Sequence, residues 1–125
     1  MREGFRAIGA EDCIQFPCGD QPITSRLAEQ RRLRTGNGTP TVSTANLLLA
    51  SLSDYSALLV GPGLGDAGTF VGALLDGLSE VTDDPVPPLV MDADGLNLLA
   101  AMPDWSRRLP PNTVLTPHPG EMARL

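Results

Sequence analysis

Lysine is absent from this 125-residue chain, in which all 9 basic residues are arginine. A phosphate-binding loop of the Gly-Lys-Ser/Thr kind is thereby excluded, as is a Schiff-base lysine. Histidine occurs once, at His118, which removes histidine-clustered metal sites. Cysteine occurs twice, at Cys13 and Cys18. That spacing matches no zinc or redox pattern, so two reduced thiols are expected. No apolar run reaches the length of a signal-peptide core or a membrane span; typical stretches are as short as Leu47-Leu48-Leu49-Ala50. A cytoplasmic protein is expected. Positive charge is also in short supply, with a formal net charge of −6. An acidic chain is not drawn to nucleic acid or to an anionic membrane surface, so neither is an expected partner. There is no Gly-x-Ser-x-Gly elbow and no suggestive Cys–His spacing.

The length suits one domain with one core. The pattern changes near Val42. Before it, Asp12–Phe16 reads as a short strand and Ile23–Arg34 as a helix whose arginines form a solvated face. Arg34–Pro40, with Gly36, Asn37 and Gly38, reads as a loop. After it the signals sharpen. Ser43 or Thr44 can cap a helix to about Ser53, with Leu47, Leu48 and Leu52 on one face. Ala57–Val60 is a buried-strand pattern. Asp66 can cap a second helix in which Phe70, Val71, Leu74, Leu75 and Leu78 make one apolar stripe. Thr82–Pro88 is a linker, Pro88–Met91 a strand, Gly95–Met102 a short helix and Thr113–Thr116 a strand. Gly120–Leu125 begins a helix of about one turn, too short to offset its nucleation cost. Further residues are therefore expected beyond Leu125.

Strand, loop and helix in repetition predict an α/β fold with a parallel sheet and right-handed crossovers. All strands of such a sheet end on the same edge, where ligands bind. Three unusual loops follow strands and are expected to converge there. Gly61-Pro62-Gly63-Leu64-Gly65 leads into a helix, and its glycines permit close backbone approach to an anion such as a pyrophosphate, or else only a tight turn. Asp92-Ala93-Asp94 brings carboxylates beside that loop, which a Mg²⁺ ion would reconcile with a phosphate. Asp92 is the candidate ligand; Asp94 is either a helix cap or a ligand. In Thr116-Pro117-His118-Pro119-Gly120-Glu121 the prolines restrict the backbone that carries the imidazole. Glu121 stands where it can meet the helix dipole or a metal-bound water. Gly63-Leu64-Gly65-Asp66-Ala67-Gly68 also spells the dinucleotide fingerprint Gly-x-Gly-x-x-Gly. Asp66 would set a negative charge against the pyrophosphate, which counts against an ordinary Rossmann dehydrogenase.

Three strings in this order, Leu58-Leu59-Val60-Gly61-Pro62-Gly63-Leu64-Gly65, Val90-Met91-Asp92-Ala93-Asp94-Gly95-Leu96-Asn97 and Leu115-Thr116-Pro117-His118-Pro119-Gly120-Glu121-Met122, resemble the ADP-dependent NAD(P)H-hydrate dehydratases. The likeness covers 42–125, with 1–41 poorly matched, and the whole of 1–125 then reads as part of one such domain. It implies a ribokinase-like, Rossmann-like three-layer fold with helices on both faces of a partly parallel sheet. It implies repair of hydrated NADH or NADPH, with ADP (or ATP) as phosphoryl donor, Mg²⁺ as cofactor, and room for a homo-oligomer in the full-length protein. Phosphorylating the ring hydroxyl turns a poor leaving group into a good one, and such a transfer needs positioning more than covalent catalysis. Carried over, Gly63 and His118 would contact the hydrated cofactor. Gly61 and Gly65 would shape the loop, while Asp92 and Glu121 would line the crevice and offer a Mg²⁺ site. An upstream Gly-Ser turn with an alanine-rich helix, a downstream Lys-Gly nucleotide segment and a Gly-x-Gly-Asp motif are features of the family not found here. The catalytic Asp is therefore expected beyond Leu125, and these residues alone are expected to be inactive and only marginally stable. Two other readings are a vitamin-pathway kinase of the same fold and a non-catalytic nucleotide-binding module.

Overall fold

The computed structural model describes residues 5–8 and 40–125. The strand expected at Asp12–Phe16, the helix at Ile23–Arg34 and both cysteines lie outside the described residues. Among the described residues four strands form one sheet: β1 (Phe5–Ile8), β2 (Ala57–Val60), β3 (Leu89–Met91) and β4 (Thr113–Leu115). They lie in chain order and every pairing is parallel. Parallel neighbours need long crossovers. Helix α2 (Gly68–Glu80) joins β2 to β3. Helices α3 (Asp94–Ala100) and α4 (Trp105–Arg108) join β3 to β4. Helix α1 (Val42–Leu49) precedes β2 and α5 (Pro119–Met122) follows β4. The α/β class read from the sequence is the one observed.

The core follows from two periodicities. In β2 and β3 alternate residues are buried, which puts Leu58, Val60, Leu89 and Met91 on one face. In α2 the expected stripe of Phe70, Val71, Leu74, Leu75 and Leu78 is wholly buried. The two sets form one cluster with Leu48, Leu96 and Leu99. Each fully buried leucine or phenylalanine contributes about 1.5–3 kcal/mol relative to exposure. The two long helices meet where Leu49 of α1 packs on Gly77 of α2, a position where any β-carbon would collide with that leucine. On the other sheet face Leu59 and Val90 are half-buried and Val114 is exposed.

The largest departures from expectation lie in α1, at the start of α2 and in the crossover from β3 to β4. Helix α1 starts earlier: Thr41, in extended backbone, is the N-cap, and Thr44 reaches back so that its hydroxyl accepts the Thr41 N–H at 3.1 Å. This phase buries Thr44, Ala45 and Leu48 and leaves Leu47 63% exposed, so Leu47 is not on the core face. The helix stops at Leu49, and Leu52 reaches the core from a separate 3-10 turn, Leu52–Asp54. In α2 the N-cap is Ala67 rather than Asp66, because burial of Ala67 (1% exposed) sets where the chain turns in. Helix α4 has no counterpart in the sequence reading. It is entered through Asp104 in the left-handed region, and Arg108 ties it to α2 by an ion pair to Asp76 at 2.7 Å and a bond to the Gly72 carbonyl at 3.4 Å.

Candidate functional site

The registers Val60↔Met91 and Met91↔Leu115 bring the ends of β2, β3 and β4 level. The next residues, Gly61, Asp92 and Thr116, therefore stand side by side on the carboxyl edge. The ladder runs on into the loops: Asp92 N–H donates to the Val60 carbonyl at 3.1 Å, and Thr116 N–H to the Met91 carbonyl at 3.2 Å. Thus the loops carrying Gly63, Asp92 and His118 share one rim, as a parallel topology requires.

Close backbone approach shapes the middle of the rim. Gly61 has φ +150°, and a β-carbon there would overlap the Asp92 carbonyl. Glycine is needed both for the torsion and for the contact. Leu64 N–H donates to the Gly61 carbonyl at 3.0 Å, closing a turn, and the Leu64 side chain, 2% exposed, anchors the loop in the core. Gly63 and Gly65 also have positive φ, 71° and 58°. The fingerprint's third glycine, Gly68, has no close neighbour, since its β-carbon would meet only Leu98 at 3.9 Å. The tight helix–strand packing that a Rossmann fingerprint requires of that glycine is not present here.

The two carboxylates of the second loop serve the backbone. Asp92 Oδ1 accepts the N–H of Ala93 at 2.9 Å. Ala93 itself sits at φ 49° and ψ −124°, a region glycine enters far more readily than alanine. Asp94 does not cap its helix, whose N-cap is Ala93. Its Oδ2 accepts instead the N–H of Gly65 at 2.9 Å, across 29 residues of sequence. That bond fastens the glycine loop to α3, and nothing in a local pattern announces it.

His118 is the N-cap of α5 through its ring. Nδ1 accepts from Gly120 N–H at 3.0 Å and from Glu121 N–H at 3.3 Å. An accepting Nδ1 puts the proton of the neutral ring on Nε2, which lies 3.2 Å from Glu121 Oε1. The other oxygen, Oε2, accepts the His118 backbone N–H at 2.9 Å. Hydrogen bonds, more than the flanking prolines, fix the imidazole. Its side chain stays 62% exposed, while that of Glu121 is 7% exposed. Arg124, one turn on, donates to Asn97 Oδ1 at 3.0 Å and joins α5 to α3.

A Mg²⁺ ion held by Asp92 and Glu121 does not fit this arrangement. Both Glu121 oxygens are engaged by His118, and one Asp92 oxygen by Ala93. Among the described residues no three potential ligands come together. What the rim offers is a preorganised set of backbone groups, one exposed imidazole and three carboxylates, Asp92, Asp94 and Glu121, already engaged in shaping it.

The model of the NAD(P)H-hydrate dehydratase family matches residues 9–125. A "Bifunctional NAD(P)H-hydrate repair enzyme Nnr" of Synechocystis is 46% identical over 90 residues, covering 70% of this chain and 16% of that protein. An "ADP-dependent (S)-NAD(P)H-hydrate dehydratase" of Neisseria meningitidis is 46% identical over 80 residues, 62% of this chain and 26% of its own length. A bifunctional repair enzyme of Mycobacterium leprae is 51% identical over 67 residues, 54% of this chain and 13% of its own. The chain thus spans about a quarter or less of these curated relatives. Among solved structures none matches significantly. No described helix is long and apolar enough to cross a membrane. With a family match that takes in all three loops of the rim, the chain belongs to the NAD(P)H-hydrate dehydratases.

Proposed function

We propose that the protein carrying this chain dehydrates hydrated NADH or NADPH in the cytoplasm, with ADP rather than ATP as phosphoryl donor. The donor follows the printed name of the Neisseria relative. The observation that carries the reading is the single rim on which the glycine loop, the Asp92–Gly95 loop and the His118 loop stand level. A dinucleotide lying along that edge meets Gly63 at one end and His118 at the other. Gly61 and Gly65 keep the loop low enough for approach. The exposed face of the His118 ring, fixed by three polar contacts with Gly120 and Glu121, is the natural stacking or polar contact for a hydrated nicotinamide. Asp92 and Glu121 act by shaping the rim.

The reaction balances without a bound metal at these residues. The hydroxyl oxygen of the hydrate takes the terminal phosphoryl group of ADP, leaving AMP. The phosphate ester then breaks at its carbon–oxygen bond, aided by the ring nitrogen, and a proton leaves the neighbouring carbon. Reduced cofactor and inorganic phosphate result. These residues would contribute orientation to that sequence.

The test supplies hydrated NADPH to the full-length protein with and without ADP. The reading expects return of reduced-nicotinamide absorbance only with ADP, one phosphate released for each cofactor recovered. Thermal stabilisation by the hydrate with no turnover under either condition would instead identify a binding module. Phosphorylation of a small hydroxymethyl compound in its place would identify a kinase.

A further inference from the structure

The bond from Gly65 N–H to Asp94 is the one side-chain link between the glycine loop and the neighbouring loop of the rim among the described residues, and it consumes a donor that a phosphate would use. At 2.9 Å it joins the last glycine of Gly61–Gly65 to the first residue of α3. Gly65 has φ +58° with open space where a β-carbon would be, so no packing holds it from that side. The rest of the loop is fixed by Gly61 against Asp92 and by Leu64, buried next to Gly65. Gly95 packs on Gly61 and Val60, which holds α3 and hence Asp94 at the right height. A carboxylate on the loop's amide gives the loop a negative neighbour. Hydrogen bonds to an ionised acceptor are about twice as strong as neutral ones, so the loop is well held.

We propose that Asp94 is a positioning residue of the crevice: its carboxylate locks the glycine loop in its binding form and closes that loop to free anions. The proposal rests on the dehydratase reading above, and it revises the sequence-based view of the loop as a phosphate cradle. Asp94 touches no reacting atom in this account. It acts through Gly65.

The test compares Asp94→Ala and Asp94→Asn with the parent in the full-length protein. Asparagine keeps an acceptor for Gly65 and removes the charge; alanine removes both. KM for hydrated NADPH is expected to rise about tenfold or more in Asp94→Ala and to return to within about threefold of the parent in Asp94→Asn. KM for ADP should stay within about threefold in both. Inorganic pyrophosphate should compete with the hydrate about tenfold more tightly in Asp94→Asn than in the parent. Unchanged hydrate KM in Asp94→Ala overturns the positioning role. So does a parallel rise for ADP, which marks general damage. Equal competition by pyrophosphate overturns the closure. If the parent uses no hydrate, the dehydratase reading falls, and the Gly65 amide proton still decides the bond. Its NMR signal should lie downfield in the parent and in Asp94→Asn and move upfield in Asp94→Ala; one position in all three overturns it.

Discussion

The point where Gly95 would carry a β-carbon lies 2.9 Å from the α-carbon of Gly61 and 2.6 Å from the carbonyl oxygen of Val60. A glycine of the β2–α2 loop and one in the first turn of α3 thus stand against each other beyond the ends of adjacent strands. The obstacles are backbone atoms, which cannot swing aside as a side chain would. Gly61→Ala is expected to cost about 3 kcal/mol or more, because it adds a clash to an unfavourable torsion. Gly95→Ala should cost somewhat less. Gly65→Ala meets open space and should cost only the torsional penalty, about 1–2 kcal/mol. Urea denaturation of the three variants checks the order; equal losses would contradict it.

His118 holds the start of α5 by accepting two backbone N–H groups and by facing a buried carboxylate. His118→Ala is expected to lose about 1–2 kcal/mol of stability. His118→Asn offers a shorter cap and should recover part of that loss. On the proposed function neither variant recovers use of the hydrate, since the ring is gone from both. Full recovery of hydrate kinetics by asparagine would reduce His118 to a cap.

Ala93 holds a torsion better suited to glycine. Ala93→Gly relieves strain of about 1–3 kcal/mol and adds unfolded-state freedom of about 0.5–1 kcal/mol. The net expectation is a gain of about 1 kcal/mol, seen as a higher denaturation midpoint. Ala93→Val should move the midpoint the other way.

Leu47 and Leu48 are neighbours with opposite surroundings, 63% and 0% exposed. Leu48→Ala is expected to cost about 2–5 kcal/mol. Leu47→Ala should stay within about 0.5 kcal/mol of the parent. Calorimetry on the pair gives the comparison, and similar melting temperatures would mean that α1 is phased differently.

What the sequence made legible, and what it hid, divides by range. Strands β2, β3 and β4 could be read because each is a short apolar run between turn residues, and α2 because its stripe keeps helical spacing for more than two turns. Parallel order then implied that the three loops share an edge, without any contact being visible. The hidden features depend on partners far away. Asp94 looks like a cap from its own neighbours, and only the folded chain brings Gly65 to it. Leu47 looks equivalent to Leu48 until the start of α1 is fixed by Thr41 and Thr44. The His118 cap is not announced by residue type, because caps are usually serine, threonine, aspartate or asparagine. A ring nitrogen performs the same service, and Glu121 three residues on, in the usual place for a reciprocal partner, was the available clue.

The order β1-β2-β3-β4 has a bearing on how the chain assembles. Each described strand pairs with the described strand before it in the chain, so within this part of the sheet no strand must wait for a segment that follows it. Such a sheet can grow vectorially as the polypeptide leaves the ribosome, with the helices of each crossover laid down before the next strand is added. The His118 turn is then set in place after the glycine loop and the Asp92 loop, on a platform already formed by its predecessors.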